Sequence, residues 1–201
     1  EGGGLRMLDL SQTSIGAAGM RELAGALKGL TDLRLAYNRV EAEGGTAIAK
    51  MLRDEGHAGL SRLDMGGCRV GPEAGLEIAK ALGRHSLHTL RLAGNLMGDQ
   101  AVAALADALR HSSTLTLLDL ADNTLSEQGA TRLAEVLGGF SALRNLSVED
   151  NAIGGAGALQ LVEALRAIAT LSDLGLGSNG VPDKVASHVI NALPECDVRF
   201  Q

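Results

Sequence analysis

Leucine recurs in this chain at fixed offsets, and the same set of offsets returns seven times. Each instance follows the pattern L-x-x-L-x-L-x-x-N-x-L, with other aliphatic residues replacing some of the leucines. The instances start near residues 5, 30, 60, 87, 115, 143 and 171, so the spacings are 25, 30, 27, 28, 28 and 28 residues. Self-similarity at such a period is typical of stacked repeats that share one continuous core.

Each position of the pattern has a structural role. The L-x-x-L-x-L part predicts a short strand whose leucines point to one face, because alternate strand residues point to opposite faces. The Asn follows the strand, where we expect its amide to bond backbone groups of its own coil and of the adjacent one. Five repeats carry Asn there, the third carries Cys68, and the first carries Thr13.

A stretch rich in Gly and Ala follows every strand pattern and predicts a helix. In the sixth repeat Leu161 and Leu165 are four residues apart and share one helix face. The same pair recurs as Leu23/Leu27, Ile48/Leu52, Ile78/Leu82, Leu105/Leu109, Leu133/Leu137 and Val189/Leu193. Twenty-eight residues leave room for a helix of about three turns beside the strand.

These motifs resemble leucine-rich repeat proteins of the ribonuclease-inhibitor type, and the resemblance covers nearly the whole chain. It implies an α/β solenoid shaped like a horseshoe, with a parallel sheet on the concave face and helices on the convex face. Strands sit about 4.8 Å apart and helices about 8–10 Å apart, so such a stack bends. We expect a single domain over 1–201, made of seven repeats and a closing segment 194–201 in which Asp197-Val198-Arg199-Phe200 resembles an eighth strand.

Composition limits the class of function. The formal net charge of −6 argues against nucleic-acid binding, which needs a cationic surface. No apolar run approaches the length of a membrane span, and two distant cysteines do not make a disulfide framework. We therefore expect a cytoplasmic protein. Because the chain starts at Glu1 and opens on glycines, we expect it to be part of a larger protein, with further sequence or a partner covering the first strand.

Outward-pointing strand residues form two stripes across the predicted concave face. The first stripe reads Asp9, Arg34, Asp64, Arg91, Asp119, Ser147, Gly175, and its charge alternates over five repeats. In-register strands would place each Arg between two carboxylates. We favour a self-neutralising structural ladder, since exposed pairs contribute only about 0–1 kcal/mol each. The alternative is a recognition stripe, because Arg is enriched at interface hot spots.

The second stripe lies two residues earlier in each strand and reads Met7, Asp32, Arg62, Thr89, Leu117, Asn145, Asp173. Leu117 and Met7 are apolar where solvent is expected. Tyr37 follows the second strand, and two interpretations stay open for it: packing against the next loop, or a contact patch with Met7. Asp122, Glu149 and Asp150 follow the fifth and sixth strands on one rim, where solvated loop charge is favoured over a dock for a basic segment.

The sequence predicts no catalysis, no metal and no cofactor. His85 and His88 lack a third ligand at metal-binding distance, and His85 and His111 fall where helices end, which suits the helix dipole. Cys68 is expected to be buried and inert, which leaves Cys196 as the more reactive thiol. The abundant Gly belongs to repeat turns and not to a phosphate-binding loop.

We therefore expect a non-enzymatic scaffold that binds another protein, of unknown identity, through the concave face and its rims. The candidate binding residues are Asp32, Arg34, Tyr37, Arg62, Asp64, Arg91, Leu117, Asp119, Asp122, Glu149 and Asp150. Similar proteins include the Ran GTPase-activating protein, tropomodulin-like actin regulators and the sensor ends of cytosolic nucleotide-binding receptors. The alternatives are accordingly a GTPase activator, or a sensor or autoinhibitory region of a larger receptor. No oligomeric state follows from the sequence.

Overall fold

Strands and helices alternate along the chain in a computed structural model that describes residues 4–200. In that range eight strands occur, at Met7–Asp9 (β1), Asp32–Arg34 (β2), Arg62–Asp64 (β3), Thr89–Arg91 (β4), Leu117–Asp119 (β5), Asn145–Ser147 (β6), Asp173–Gly175 (β7) and Asp197–Arg199 (β8). The α-helices are Ala17–Ala26 (α1), Glu41–Leu52 (α2), Gly71–Leu82 (α3), Gly98–Leu109 (α4), Glu127–Leu137 (α5), Gly154–Leu165 (α6) and Asp183–Ala192 (α7). The predicted domain limits, 1 and 201, lie outside the described residues.

All eight strands pair in parallel, in chain order, in one open sheet. Arg34 pairs in register with Asp9 on one side and with Asp64 on the other, and Asp64 pairs with Arg91. Both predicted stripes are therefore continuous across the sheet. The predicted eighth strand is also confirmed, and it extends the first stripe to Arg199, which pairs with Gly175.

The aliphatic spine predicted from the repeats lies between the sheet and the helices. The middle leucine of each strand from β2 to β7 is at most 1% exposed: Leu33, Leu63, Leu90, Leu118, Leu146 and Leu174. The paired helix positions Ile48/Leu52, Ile78/Leu82 and Leu105/Leu109 are buried against them. This burial confirms the α/β leucine-rich repeat solenoid, with the sheet on the concave side and the helices on the convex side.

The asparagine ladder is present as expected. Asn38 donates to the carbonyl oxygens of Leu35, 2.8 Å away in its own coil, and of Leu10, 2.7 Å away in the preceding coil. Its side-chain oxygen accepts the N–H of Ile15 at 2.9 Å. Cys68 takes over part of the role of the asparagine in the third repeat, because its thiol donates a hydrogen bond to the Leu35 oxygen at 3.2 Å. Each coil is thus hydrogen-bonded to the next through a buried side chain.

The first two repeats depart from the regular spacing. The first is 25 residues long, and its helix α1 has only ten residues. The second is 30 residues long, and a 3₁₀ helix over Glu55–His57 takes up the extra chain. At the two ends of the sheet, Met7 is 56% exposed on β1, whereas Phe200 after β8 packs against the core.

Candidate binding face

The concave face carries a cluster of ion pairs at its N-terminal end, on β1 to β3. Asp32 accepts two hydrogen bonds from Arg34 of its own strand, at 3.1 and 2.9 Å. Arg62 on the next strand lies 3.6 Å from Asp32, and Asp9 lies 3.7 Å from Arg34. Hydrogen bonding to Asp32 raises the pKa of Arg34. These four side chains therefore neutralise one another.

The charge ladder forms in register, and Arg34 lies between Asp9 and Asp64 of the adjacent strands, but its ion pairs are to Asp9 and to Asp32. Its second partner is Asp32 of the same strand and not Asp64 of the next. The Asp64 carboxylate instead accepts the N–H of Gly66, two residues on, at 3.1 Å. An Asp side chain readily bonds its own backbone in this way, and the charge of Asp64 acts on Arg34 without a direct ion pair within 4.0 Å. Asp9 likewise accepts the N–H of Ser11, which lowers the pKa of Asp9.

A concave hollow of about 290 Å³ lies beyond this cluster, between β4 and β8. Its floor is formed by small or short side chains, notably Asn145 and Ser147 on β6. Leu117, which is half-buried, lines it as an apolar wall. Arg91 stands at one side and Arg199 at the other. The face is thus ion-paired at one end and open in its C-terminal half.

The two arginines of the hollow differ in their partners. Arg199 pairs with Asp173, and with Glu149 at 3.4 Å, and the bond to Asp173 raises its pKa. By contrast, no carboxylate of residues 4–200 lies within 4.0 Å of the Arg91 guanidinium nitrogens. Arg91 is therefore a cation that lines the hollow without a direct ion-pair partner among the described residues.

Asp119 lines the hollow beside Arg91. Partial burial raises the pKa of its carboxyl group, while the Ala121 N–H, 3.2 Å from the carboxylate, and the nearby charge of Arg91 act in the opposite direction. Burial is the largest of these effects. A charged group held in a partly dry site interacts more strongly with an incoming partner than the same group in water.

Tyr37 packs against the next loop, the first of its two interpretations, and the contact patch with Met7 stays a prediction. Its ring packs over the next loop, where a Cβ added to Gly67 would lie 2.8 Å from a ring carbon. The residue nevertheless remains 70% exposed. Its backbone has a φ of +57°, in the left-handed region that non-glycine residues seldom adopt. Tyr37 is therefore both anchored to the adjacent coil and available at the rim.

The three acidic rim residues do not act as one unit. Asp122 and Asp150 precede the ladder asparagines and have φ values of +49° and +52°. Their N–H groups donate to the next coil, to the oxygens of Glu149 and Gly177, each at 2.9 Å. The Glu149 carboxylate turns inward to Arg199 instead. Asp122 and Asp150 remain as the rim charges.

Sequence reasoning did not select four residues that line the hollow: Asn145, Ser147, Asp173 and Arg199. Asn145, Ser147 and Asp173 belong to the two predicted stripes, and Arg199 belongs to the predicted eighth strand. Extending the first stripe by one strand would have placed Arg199 beside Gly175. No signal in the sequence indicates the depth of the hollow, because that depth depends on the conformations of the neighbouring side chains.

Metal binding, thiol reactivity and membrane insertion can also be assessed for the described residues. Among the side chains that the structure describes in residues 4–200, which leave out His57, no three of His, Cys, Asp or Glu are arranged to hold a metal ion. Burial raises the pKa of both the Cys68 and the Cys196 thiol to about 11. Within the same range, no helix has the length and apolar character needed to cross a bilayer.

Comparisons with known proteins agree with the fold. The sequence model of the Leucine Rich repeat family matches residues 30–49 and 111–134. A stretch of 111 residues, 53% of the chain, is 33% identical to the NACHT, LRR and PYD domains-containing protein 5 of Bos taurus, but spans only 10% of that protein's length.

Two solved structures are similar in shape. One is that of leiomodin-1 actin-binding site 2, with a TM-score of 0.61 and 19% identity over 76% of this chain and 87% of that one. The other is the tropomodulin C-terminal domain of Caenorhabditis elegans, with a TM-score of 0.60 and 16% identity over 75% of this chain and 92% of that one. At these identities the likeness shows the fold alone.

Proposed function

This chain is a leucine-rich repeat protein, and we propose that it is a non-enzymatic scaffold that binds a partner protein through the concave hollow and the adjoining rim. The observation that carries the proposal is Arg91, a cation without a carboxylate of residues 4–200 within 4.0 Å, standing beside half-buried Leu117. Arg is enriched at interface hot spots, which cluster in well-packed pockets.

The rigidity of the fold supports this function. The strands that carry Arg91, Leu117 and Asp119 are consecutive members of one hydrogen-bonded sheet over a buried leucine spine. A preformed surface loses little conformational freedom when a partner binds, so more of the contact energy appears as affinity. The ion-paired residues Asp32, Arg34 and Arg62 lie on the same face, and we assign them a supporting role in which their pairing fixes the shape of the binding surface.

The rim supplies the second part of the proposed surface. Exposed Tyr37 offers a ring already fixed by its contact with the next loop, which limits the entropy lost on binding. Asp122 and Asp150 present negative charge near the hollow, and this charge favours a partner with basic residues outside its main contact. We place the protein in the cytoplasm as part of the same proposal.

The test uses Arg91→Glu and Leu117→Glu, singly and together, because neither residue anchors an ion pair with a carboxylate of the described chain. Lys80→Glu is the charge-reversal control, since Lys80 is exposed on helix α3 on the opposite side of the molecule and has no carboxylate of the described residues within 4.0 Å. We expect partners captured by crosslinking with the wild type to be lost with the concave variants and retained with the control. Equal retention by all of them would remove the hollow from the binding surface.

A second candidate function is supported by one comparison. The similarity to a protein whose name includes NACHT and PYD domains favours a sensor or autoinhibitory region of a larger protein. The sequence upstream in the parent gene tests this directly, because a nucleotide-binding domain there is required. A GTPase-activating role is tested by GTP hydrolysis with purified small GTPases, where unchanged rates exclude it.

A further inference from the structure

A groove of about 410 Å³ runs between helices α1 and α2, on the side of the molecule away from the sheet. We propose that this helix groove docks a segment of a partner protein that combines an apolar side chain with carboxylates. The site is independent of the concave hollow, which lies between β4 and β8 on the other face.

The groove is open because of one glycine. Gly25 lies on its α1 wall, is exposed, and a Cβ added there would have no atom within 4 Å. Gly25 lies two residues before Leu27, the second member of the helix pair Leu23/Leu27. In every other α-helix the equivalent position carries a longer exposed side chain: Lys50, Lys80, Asp107, Glu135, Glu163 and Asn191. Gly weakens an exposed helix and permits close approach of another chain.

Irregular repeat lengths widen the same opening. Helix α1 has ten residues where α2 has twelve, because it begins one residue later and ends one residue earlier than α2 in the repeat. The 3₁₀ helix then closes the far end, since the Gly29 N–H donates to the Gly56 oxygen at 2.9 Å. Departures from the consensus length in repeat proteins often map to binding surfaces. Both the shortened and the lengthened repeat border this groove.

The floor of the groove is apolar. Ala24 and Leu27 contribute from the end of α1, and Ala47 and Met51 from α2. Ala24, Leu27 and Met51 are 5–9% exposed, so each presents only a small surface to solvent. A floor of this kind accommodates an apolar side chain that reaches in, and not a polar one, which would lose its hydrogen bonds to water.

The rim of the groove carries an excess of positive charge, with three cations, Arg21, Lys28 and Lys50, and two carboxylates, Glu43 and Asp54. Lys28 and Lys50 are exposed, and neither has a carboxylate of residues 4–200 within 4.0 Å. Arg21 completes the set and lies 3.7 Å from Glu43, a pair exposed on both sides. An acidic segment would pair with Lys28 and Lys50, whereas a basic one would meet a rim whose net charge is positive. Charge complementarity therefore selects an acidic, apolar occupant.

The binding probe is a synthetic library of short peptides that intersperse Asp and Glu with aliphatic or aromatic residues, and the comparison library replaces the acids with Lys and Arg. Binding is followed by NMR of the protein labelled on its methionine and leucine methyl groups. Met51 lies in the groove and Leu117 lines the concave hollow, so their methyl signals distinguish the two surfaces.

We expect acidic peptides to shift the Met51 signal saturably while the Leu117 signal stays unchanged. Gly25→Glu restores the kind of side chain found in α5 and α6 and should lower the affinity at least about tenfold. Gly138→Glu, at the C-terminal end of α5, adds the same charge where an added Cβ also has no atom within 4 Å, and should leave the affinity unchanged.

Three results would overturn the proposal. They are the absence of binding by the acidic library, equal binding of the basic library, and an affinity of Gly25→Glu within about twofold of the wild type. A shift of the Leu117 signal in place of the Met51 signal is a fourth contradicting result, and it would leave the proposed concave surface standing. The methionine spectrum reports on folding of each variant in the same experiment.

Discussion

Replacing Asn95 by alanine tests how far the asparagine ladder holds the coils together. The Asn95 side chain is fully buried and makes four hydrogen bonds. Its amide donates to the oxygens of Met65 and Leu92, both at 2.8 Å, and of Ala93 at 3.1 Å. Its oxygen accepts the N–H of Val70 at 3.3 Å.

The ladder itself compensates for part of the loss. The Leu92 oxygen also accepts a bond from Asn123 at 2.9 Å, and the Ala93 oxygen accepts the N–H of Gly67 at 2.7 Å. In the described chain, the Met65 oxygen and the Val70 N–H have no such second partner. Two buried backbone groups are therefore left unpaired, at about 1–3 kcal/mol each, so we expect Asn95→Ala to cost about 2–6 kcal/mol.

The free energy of unfolding from urea denaturation measures this cost. Asn95→Cys is the matched control, because the Cys68 thiol in the neighbouring repeat donates to one carbonyl oxygen at 3.2 Å. We expect this variant to keep the bond to Met65 and to lose about 1–3 kcal/mol. Amide hydrogen exchange at Val70 should accelerate in both variants. The reasoning is refuted if Asn95→Ala unfolds within about 0.5 kcal/mol of the wild type.

Three further predictions concern buried groups. Cys68→Asn should stabilise the protein by about 0.5–1.5 kcal/mol in urea denaturation, because the buried Val40 N–H has no acceptor in the described chain and an Asn side chain would supply one. The Asp119 carboxyl, followed by NMR titration, should have a raised pKa that rises further in Arg91→Gln. Because the folded state then holds that proton more tightly than the unfolded state, the Asp119 contribution to stability is largest at acid pH and falls as the pH rises through the raised pKa. A thiol reagent should modify half-buried Cys196 well before Cys68, faster at alkaline pH, and equal rates would contradict the burial of Cys68.

The sequence predicted the fold because each repeat position admits one kind of chemistry. A buried strand position such as Leu63 must be apolar, and a buried turn position such as Asn95 must satisfy backbone groups of two coils. When a requirement recurs seven times, a single exception such as Thr13 does not obscure it. The register of the stripes follows from the same spacing, since equivalent positions of adjacent coils lie side by side.

The binding face was harder to predict, because exposed side chains have several partners within reach. Arg34 could have paired with Asp64 across the sheet, yet it bonds Asp32, while Asp64 bonds its own backbone. These arrangements differ by the small energies of exposed ion pairs. The sequence therefore predicted which residues share the face, and it did not predict which of them are paired and which, like Arg91, are left without a close carboxylate in the described chain.

Both open sites in this molecule arise from side chains that are shorter than those of neighbouring repeats. On the concave face the stripe changes from charged residues to Ser147 and Gly175, and on the helix side Gly25 stands where other helices carry long polar residues. Each coil of a solenoid contacts only its neighbours, so no distant segment can fill the space that a short side chain leaves. Stacking demands large apolar residues in the core but sets no lower limit on side-chain size at the surface. Departures from the repeat at exposed positions are therefore where a partner can be accommodated without loss of the fold.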